Sequence, residues 1–135
     1  MQRNIEIKIE KIQNYLNILD EFKVDCKKRF LEDVVFEGAL LHYLYLVSDS
    51  CISLAEMVIK YKNYGITQSY YDSIVVLGEK KVLPREFAYE FARIASFRNF
   101  LAHDYEKVDY IEICENSLNK LDDIKTYLKY IKKVV

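Results

Sequence analysis

Glycine and proline, the residues that most often interrupt regular secondary structure, are almost absent from this chain. Its 135 residues include three Gly and one Pro. A β-sandwich or an α/β fold of this length needs many turns, which are built from clusters of Gly, Pro, Asn and Asp. Hydrophobic residues make up 51% of the chain, so it can bury a core and is not expected to be disordered. We therefore predict an all-α fold that forms one domain, residues 1–135.

Apolar residues recur at steps of three and four, as on the buried face of an amphipathic helix. The first such face predicts one helix over about residues 3–29, and its members are Ile5, Ile9, Ile12, Leu16, Leu19, Phe22, Cys26 and Phe30. A second helix is predicted from the N-cap Asp33 to about Asn63, with Gly65 as its C-terminal stop. Residues 39–47 are apolar on almost every side, which predicts a central position for this helix.

Two further helices are predicted in the middle of the chain. Ser69 and Asp72 resemble a capping box, which opens a short helix over residues 70–77 that Gly78 ends. Pro84 suits the first position of a helix, where its missing N–H is not needed. The sequence after Pro84 predicts one continuous helix that reaches His103.

The last helix has the clearest start. Asp109 and Glu112 form a second capping box, and Val108 and Ile113 are spaced as a hydrophobic staple. Its apolar face continues through Leu118, Leu121, Leu128 and Ile131. Four long helices, one short helix and short connections predict an antiparallel up-and-down four-helix bundle.

Charge and cysteine usage exclude several classes of protein. Lys and Arg total 20 and Asp and Glu total 21, so any nucleic-acid site should be a local cleft. Cys26, Cys51 and Cys114 form no CxxC pair, and we predict three small apolar residues in a reducing cytoplasm and no metal site. The N-terminus is not a signal peptide, and no apolar run approaches the roughly 20 residues of a membrane span. We predict a soluble cytoplasmic protein that does not contact membranes.

Arg98 contradicts the pattern of its own predicted helix. At about 100° per residue, it falls in the middle of an apolar stripe formed by Phe87, Phe91, Ile94, Leu101 and Ala102. Burial of an unpaired guanidinium costs several kcal/mol. Arg98 therefore either reaches solvent or pairs with a carboxylate, for instance Asp49, or it faces a cleft or a subunit interface where an anion takes the place of that carboxylate.

His103 lies five residues after Arg98, which separates the two side chains by roughly 140° on a continuous helix. Either the helix ends near His103 and its imidazole turns back, or a symmetry-related copy of the chain completes the pair. A lone histidine near a helix end more often interacts with the helix dipole than catalyses a reaction. The polar neighbours Asn99, Asp104 and Tyr105 favour a functional site.

Residues 98–105, RNFLAHDY, resemble the R-x4-H-x-Y motif of HEPN-domain proteins. More narrowly, the chain resembles the HepT toxins of minimal nucleotidyltransferase–HEPN toxin–antitoxin systems. Arg98, Asn99, His103 and Tyr105 match the Arg, polar, His and Tyr positions of the motif. The resemblance covers essentially the whole chain, including its long first two helices and its all-helical character.

The resemblance implies a metal-independent endoribonuclease that needs no cofactor and acts as a homodimer, with motifs of both subunits lining one cleft. Arg98 and His103 would be catalytic, and Asn99 and Tyr105 would support substrate binding. RNA, such as tRNA or mRNA, would be the substrate. The resemblance also implies a nucleotidyltransferase antitoxin that silences the toxin by AMPylation of Tyr105.

The residue types suit this chemistry. RNA cleavage without a metal needs a general base, a general acid and a cation on the developing phosphorane charge. An imidazole can serve as base or acid at neutral pH, and an Arg can hold two phosphate oxygens. The alternative is a non-catalytic helical dimer of the same fold that binds a nucleotidyltransferase partner or a nucleotide.

Three short basic clusters are further candidates for contacts with RNA. They are Lys27-Lys28-Arg29, Lys60 with Lys62, and Lys80-Lys81. Such clusters are more often part of the solvated surface than of a binding site. The sequence alone does not choose among them.

Overall fold

The computed structural model describes residues 2–104 and 107–135, and the elements in these ranges are helices. They are α1 (Gln2–Glu21), α2 (Cys26–Glu32), α3 (Val34–Tyr61), α4 (Tyr70–Glu79), α5 (Arg85–Phe91), α6 (Ile94–His103), a π-helix (Glu112–Ser117) and α7 (Leu121–Lys132). The prediction of an all-α fold is confirmed.

Helix α3 is the central element, as its apolar stretch predicts. It packs against α1, α2, α4 and α6. By length and composition α3 passes for a membrane span, but 56% of its most apolar stretch is buried in the protein, which is typical of the core helix of a soluble protein. The fully buried Tyr127 of α7 donates a hydrogen bond of 2.9 Å to the carbonyl oxygen of Cys51 in α3. This bond satisfies the buried phenol and joins α7 to the centre of the bundle.

The N-terminal segment is two helices, and the prediction of one helix over residues 3–29 is wrong. The chain turns between α1 and α2, where Asp25 has a left-handed backbone with φ of 52°. Aspartate is among the few residues that tolerate this conformation, and apolar periodicity does not reveal it. The predicted apolar face is nevertheless buried, and the Phe22 ring lies 4.9 Å from the Phe36 ring.

Helix α3 begins as predicted and ends differently. The Asp33 carboxylate accepts hydrogen bonds from the backbone N–H groups of Val35 and Phe36, at 3.0 and 3.2 Å. At the other end Asn63, with φ of 58°, takes the left-handed position that was predicted for Gly65. The Tyr64 N–H bonds back to the Ile59 carbonyl at 2.9 Å, which completes a Schellman motif.

Gly78 lies inside α4 and does not end it, contrary to prediction. A Cβ at this position would lie 2.5 Å from the Cβ of Ala88, so Gly78 permits the close packing of α4 against α5. The helix ends where Lys81 adopts φ of 62°. The predicted N-cap is confirmed, because the Ser69 hydroxyl accepts a hydrogen bond of 3.0 Å from the Asp72 N–H.

The predicted continuous helix after Pro84 is two helices. Pro84 is the N-cap of α5, and the chain bends at Ala92 and Arg93 between α5 and α6. Here the Arg93 and Ala95 N–H groups bond three residues back, at 3.2 and 3.1 Å, which is the pattern of a 3₁₀ turn. The bend rotates the side chains of α6 relative to those of α5. The single apolar stripe that is predicted for one straight helix is therefore only partly preserved.

The last helix begins near Asp109 as predicted, but the predicted capping box with Glu112 does not form and the first turns are a π-helix. Asp109 accepts a hydrogen bond of 2.9 Å from the Ile111 N–H, whereas Glu112 bonds Asn116 and not the helix start. The π-helix follows, and a short turn separates it from α7. The four predicted apolar positions, Leu118, Leu121, Leu128 and Ile131, are buried.

Two of the three cysteines are disulfide-bonded, which corrects the prediction of three apolar packing residues. Cys26 at the start of α2 bonds Cys114 in the π-helix, with 5.7 Å between their Cα atoms. The two residues are 88 positions apart, so only tertiary packing brings them together. Cys51 is buried and free, and burial raises the pKa of its thiol.

Candidate functional site

The guanidinium of Arg98 is held where α6 passes α3. Its Nε donates a hydrogen bond of 3.0 Å to Oδ1 of Asp49, and its Nη2 donates one of 3.1 Å to the Tyr45 hydroxyl. Its Nη1 donates to Oδ1 of Asn99 at 3.2 Å. The Arg98 side chain is 16% exposed and that of Asp49 is 44% exposed. Of the alternatives that the sequence leaves open for Arg98, the structure shows the pair with Asp49, and this pair opens to solvent on its carboxylate side.

Two aromatic rings enclose the same cation. The guanidinium carbon of Arg98 lies 5.2 Å from the ring centre of Tyr45 and 5.1 Å from that of Tyr70. At these distances the ring quadrupoles attract the cation. Tyr70 is the first residue of α4, so the Ser69 cap that starts this helix also positions the ring. We call these five residues the Arg98 cluster: Arg98, Asp49, Tyr45, Tyr70 and Asn99.

Arg98, Asp49 and Asn99 are predicted from the sequence as residues of this site, whereas Tyr45 and Tyr70 are not. Tyr45 precedes Asp49 by one helical turn on α3, which is a signal that both face the same neighbour. Tyr70 gives no such signal, because it reaches Arg98 only through the packing of α4. In the sequence, Tyr70 is therefore indistinguishable from most of the 12 tyrosines of the chain.

The Arg98 cluster keeps the guanidinium charged and uses only some of its N–H donors. Burial lowers the pKa of Arg98, but the hydrogen bond and the charge of Asp49, together with Tyr45 and Tyr70, outweigh burial and raise the pKa above its ordinary value. A guanidinium carries five N–H groups. Three are used within the cluster, and among residues 2–104 and 107–135 one N–H on each Nη meets no acceptor. A plane fixed in this way can present two parallel donors to a phosphate.

His103 occupies a different environment on the same helix. It is the last residue of α6, it is exposed, and the next residue, Asp104, returns a backbone bond of 2.8 Å to the Phe100 carbonyl. Within residues 2–104 and 107–135, neither a side-chain hydrogen bond nor an ion pair joins His103 to the Arg98 cluster. The helix does end at His103, but the imidazole does not turn back onto the guanidinium. Tyr105, the remaining predicted site residue, lies outside the described residues.

An open cleft lies beside the Arg98 cluster, between the first half of α3 and the end of α6. Its volume is about 360 Å³, and it is lined by Gly38, Leu41, His42, Tyr45, Leu101 and Ala102. The surface of α3 continues from the cleft to Val34 and Val35, which are 78% and 75% exposed. Two such exposed valines on one helix end are unusual for surface that faces only water.

Potential metal ligands are scattered over the molecule. In residues 2–104 and 107–135, no three His, Cys, Asp or Glu side chains come together as a group that could hold a metal ion. The chemistry that the described residues offer at the Arg98 cluster is that of side chains: a fixed cation, hydroxyls and an exposed imidazole on the same helix.

Known proteins share both the sequence pattern and the fold. Residues 6–131 match the family described as "Ribonuclease HepT-like". The chain is 21% identical over 104 residues to the mRNA nuclease HepT of Shewanella oneidensis, covering 77% of this chain and 78% of the relative. It is 26% identical over 107 residues to the tRNA nuclease HepT of Aphanizomenon flos-aquae, covering 78% of this chain and 71% of the relative.

Solved structures agree with the fold over nearly the whole chain. A tri-AMPylated Shewanella oneidensis HEPN toxin in complex with MNT antitoxin superposes with a TM-score of 0.85 and 21% identity, covering 96% of each chain. A toxin–antitoxin crystal structure with AMP-PNP gives a TM-score of 0.81 and 20% identity, covering 96% of this chain and 97% of the other. At these identities the likeness establishes the fold.

Proposed function

Because the chain belongs to the HepT-like ribonuclease family, we propose that it is a metal-independent endoribonuclease toxin of a HEPN/nucleotidyltransferase toxin–antitoxin pair. The observation that carries this proposal is the Arg98 guanidinium, which is held in one plane by three hydrogen bonds and, in the part of the chain that the structure describes, keeps a free N–H on each Nη. A cation prepared in this way stabilises charge that develops on a phosphorus centre without having to reorganise. Its substrate in the cytoplasm is RNA.

Each motif residue has a role in this reaction. The imidazole of His103 removes the proton of the 2′-hydroxyl, whose oxygen attacks the adjacent phosphorus. The bond from phosphorus to the 5′-oxygen breaks, and that oxygen takes up a proton from solvent water as it leaves. Arg98 holds two phosphate oxygens through this step, and Asn99 keeps the guanidinium oriented. The products are a 2′,3′-cyclic phosphate and a 5′-hydroxyl.

A second copy of the chain completes the site. Arg98 and His103 lie five residues apart on α6, so they project from sides of the helix that differ by roughly 140°. One copy therefore presents its cation and its imidazole to different surroundings. The cleft beside Tyr45 and the exposed valines Val34 and Val35 offer a face on which a two-fold-related copy can pack. The homodimer then lines one cleft with both motifs.

The partner of the toxin is a small nucleotidyltransferase that attaches AMP to Tyr105. The solved Shewanella complex, a tri-AMPylated toxin with MNT antitoxin, supports this part of the proposal. Tyr105 follows His103 by two positions, so a bulky, negatively charged group on its ring would occupy the phosphate site. Co-expression with a nucleotidyltransferase encoded next to the gene of this chain should add the mass of AMP to the peptide that contains Tyr105. An unmodified Tyr105 in a tight complex would instead indicate inhibition by masking.

The function is tested by cleavage of a labelled RNA in the presence of EDTA. The wild-type chain should cut the RNA and leave 2′,3′-cyclic phosphate ends, and chelation should not slow it. His103→Ala should abolish cleavage, and Asn14→Ala, at an exposed position of α1 away from the Arg98 cluster and its cleft, serves as the control. In cells, the wild-type chain expressed without its partner should arrest growth, and His103→Ala should relieve the arrest. RNA binding with no cleavage would favour the alternative, a non-catalytic dimer.

A further inference from the structure

The three basic clusters of the sequence have different surroundings in the fold. In the first, Lys27 forms an ion pair with Glu115 of the π-helix, and Arg29 lies 4.2 Å above the Phe36 ring. These side chains are engaged in holding α2 in place. In the described part of the chain, Lys60, Lys62, Lys80 and Lys81 take part in no ion pair. Their charges are available to a ligand.

Contacts at its two ends show the direction of α4. At its start, Tyr70 touches Arg98, which is bonded to residues in the middle of α3. At its end, the Lys80 ammonium lies 5.6 Å from the ring of Tyr64, just past the last turn of α3. Helix α4 therefore runs from the Arg98 cluster toward the C-terminal end of α3. Its 10 residues span about 15 Å.

The far end of α4 is rich in positive charge. Lys60 and Lys62 at the end of α3 join Lys80 and Lys81 there, and the Lys62 ammonium lies 5.4 Å from the Tyr61 ring. Lys81 also lines an open cleft of about 590 Å³, together with Arg85, Lys133 and a single acidic residue, Glu79. We call the four lysines the lysine end of α4.

Exposed apolar and aromatic residues lie at the start of α4 and in the connection that leads to it from α3. Tyr70 and Tyr71 at the start of α4 are 38% and 46% exposed, and Ile66 in the preceding connection is 94% exposed. Aromatic rings stack on bases whatever their identity, and lysines attract the phosphate backbone. A cation and a ring therefore lie together at each end of α4, Arg98 with Tyr70 and Lys80 with Tyr64, while the helix between them is mostly buried. Cations beside aromatic rings are typical of proteins that bind a single strand without reading its sequence.

We propose that the RNA strand leaves the Arg98 cluster along α4 and that the lysine end binds its phosphates. This inference rests on the proposed function and names the surface that holds the substrate beyond the cleaved bond. A chain whose net charge is −1 then binds RNA through one local strip of positive charge. The engaged cluster on α2 lies outside this path.

The path is tested by RNA affinity in a chain that cannot cut. Lys80→Gln/Lys81→Gln is combined with His103→Ala, and binding of a fluorescein-labelled 12-nucleotide RNA is measured by anisotropy at several salt concentrations. We expect Kd to rise about ten-fold, and the slope of log K against log salt to fall by about 1.4, since each phosphate contact on a single strand contributes about 0.7. The control is Lys11→Gln/Lys28→Gln, which removes the same charge from α1 and α2. An equal effect of the two double variants would overturn the proposal.

Steady-state kinetics of RNA cleavage distinguish a failure of the RNA path along α4 from a failure of the proposed function. In a chain with His103 intact, Lys80→Gln/Lys81→Gln should raise KM for the 12-nucleotide RNA about ten-fold and lower kcat much less. A dinucleotide substrate, too short to reach the lysine end, should show no change. If the wild-type chain cuts nothing, the proposed function fails while the anisotropy result still decides the path. Unchanged RNA affinity with weaker capture of the nucleotidyltransferase would make the lysine end a protein interface and contradict the RNA path.

Discussion

The middle and the C-terminal end of helix α6 carry the two principal motif residues in opposite conditions. Arg98 is 16% exposed and is held by three hydrogen bonds and two aromatic rings from α3, α4 and α6. His103 is exposed at the helix end, and within the described residues no side-chain bond to the Arg98 cluster restrains it. Under the proposed function, one copy of the chain thus holds its cation firmly in place and contributes the imidazole without a fixed orientation.

This difference predicts which of the two residues contributes to the stability of the fold and which contributes to the proposed reaction alone. The guanidinium is part of the packing between helices, so a change at Arg98 should affect both the fold and the reaction. The imidazole contributes little to packing, so a change at His103 should affect the reaction alone. The predictions below test this contrast, from the largest expected effect on RNA cleavage to the smallest.

Alanine at either residue should reduce cleavage about 10²–10⁴-fold, because each removes a group that acts in the transition state. Stability separates the two variants. Arg98→Ala should lower the free energy of unfolding by about 1 kcal/mol, since the half-exposed Asp49 and Tyr45 lose their donor. His103→Ala should change it by less than about 0.5 kcal/mol. Urea denaturation measures both values, and equal losses of stability would break the contrast.

Removal of the Asp49 charge should loosen the guanidinium without removing it. Asp49→Asn should lower kcat about ten-fold, because the Nε contact at 3.0 Å sets the plane in which Arg98 meets the phosphate. Glu37→Gln on the same helix is the control and should leave kcat unchanged. Because Arg98 remains protonated in the variant, the pH profile should keep its shape. An unaltered kcat in Asp49→Asn would mean that Asp49 does not position the guanidinium.

The ring of Tyr70 should matter more than its hydroxyl. Tyr70→Ala should lower kcat/KM two- to five-fold, which corresponds to a cation–π contact worth about 0.5–1 kcal/mol. Tyr70→Phe keeps the ring and should retain nearly full activity. A loss in Tyr70→Phe as large as in Tyr70→Ala would show that the hydroxyl, and not the ring, serves the site.

Reduction of the disulfide should leave cleavage by the folded protein nearly unchanged, because Cys26 and Cys114 join α2 to the π-helix and neither belongs to the Arg98 cluster. Stability should fall instead, by about 4 kcal/mol for a loop of this length. Cys114→Ser should reproduce this loss and make the chain insensitive to reductant. Cys51, whose buried thiol stays protonated, should resist alkylation in the native state. Identical denaturation curves with and without reductant would contradict the disulfide.

Local chemistry accounts for the parts of the fold that the sequence predicts. The caps at Asp33, Ser69 and Asp109 each depend on a side chain and an N–H two or three residues away, so a short window contains them. Gly78 permits the approach of Ala88, and the Cys26–Cys114 bond spans 88 residues. Contacts of this kind become visible only when helices have been packed together.

The candidate site likewise contains contacts that the sequence predicts and contacts that depend on how the helices pack. An Arg in an apolar stripe requires a partner, so its pairing with Asp49 follows from the cost of burying an unpaired charge. Tyr70 carries no such requirement, and its ring reaches Arg98 because α4 runs across α3 and α6. The left-handed residues Asp25 and Asn63 were missed for a related reason, since polar residues at helix ends adopt several conformations and packing selects one.

The contrast between Arg98 in the middle of α6 and His103 at its end leads to one decisive measurement, which is RNA cleavage by an equimolar mixture of the Arg98→Ala and His103→Ala chains. If the guanidinium of one copy acts with the imidazole of the other, mixed dimers contain one intact site of two. Half of the dimers are mixed, so about one quarter of the wild-type activity should return. If the mixture stays as inactive as its components while wild-type chains cut RNA, the two residues act within one copy, and the account of a site shared between copies is wrong.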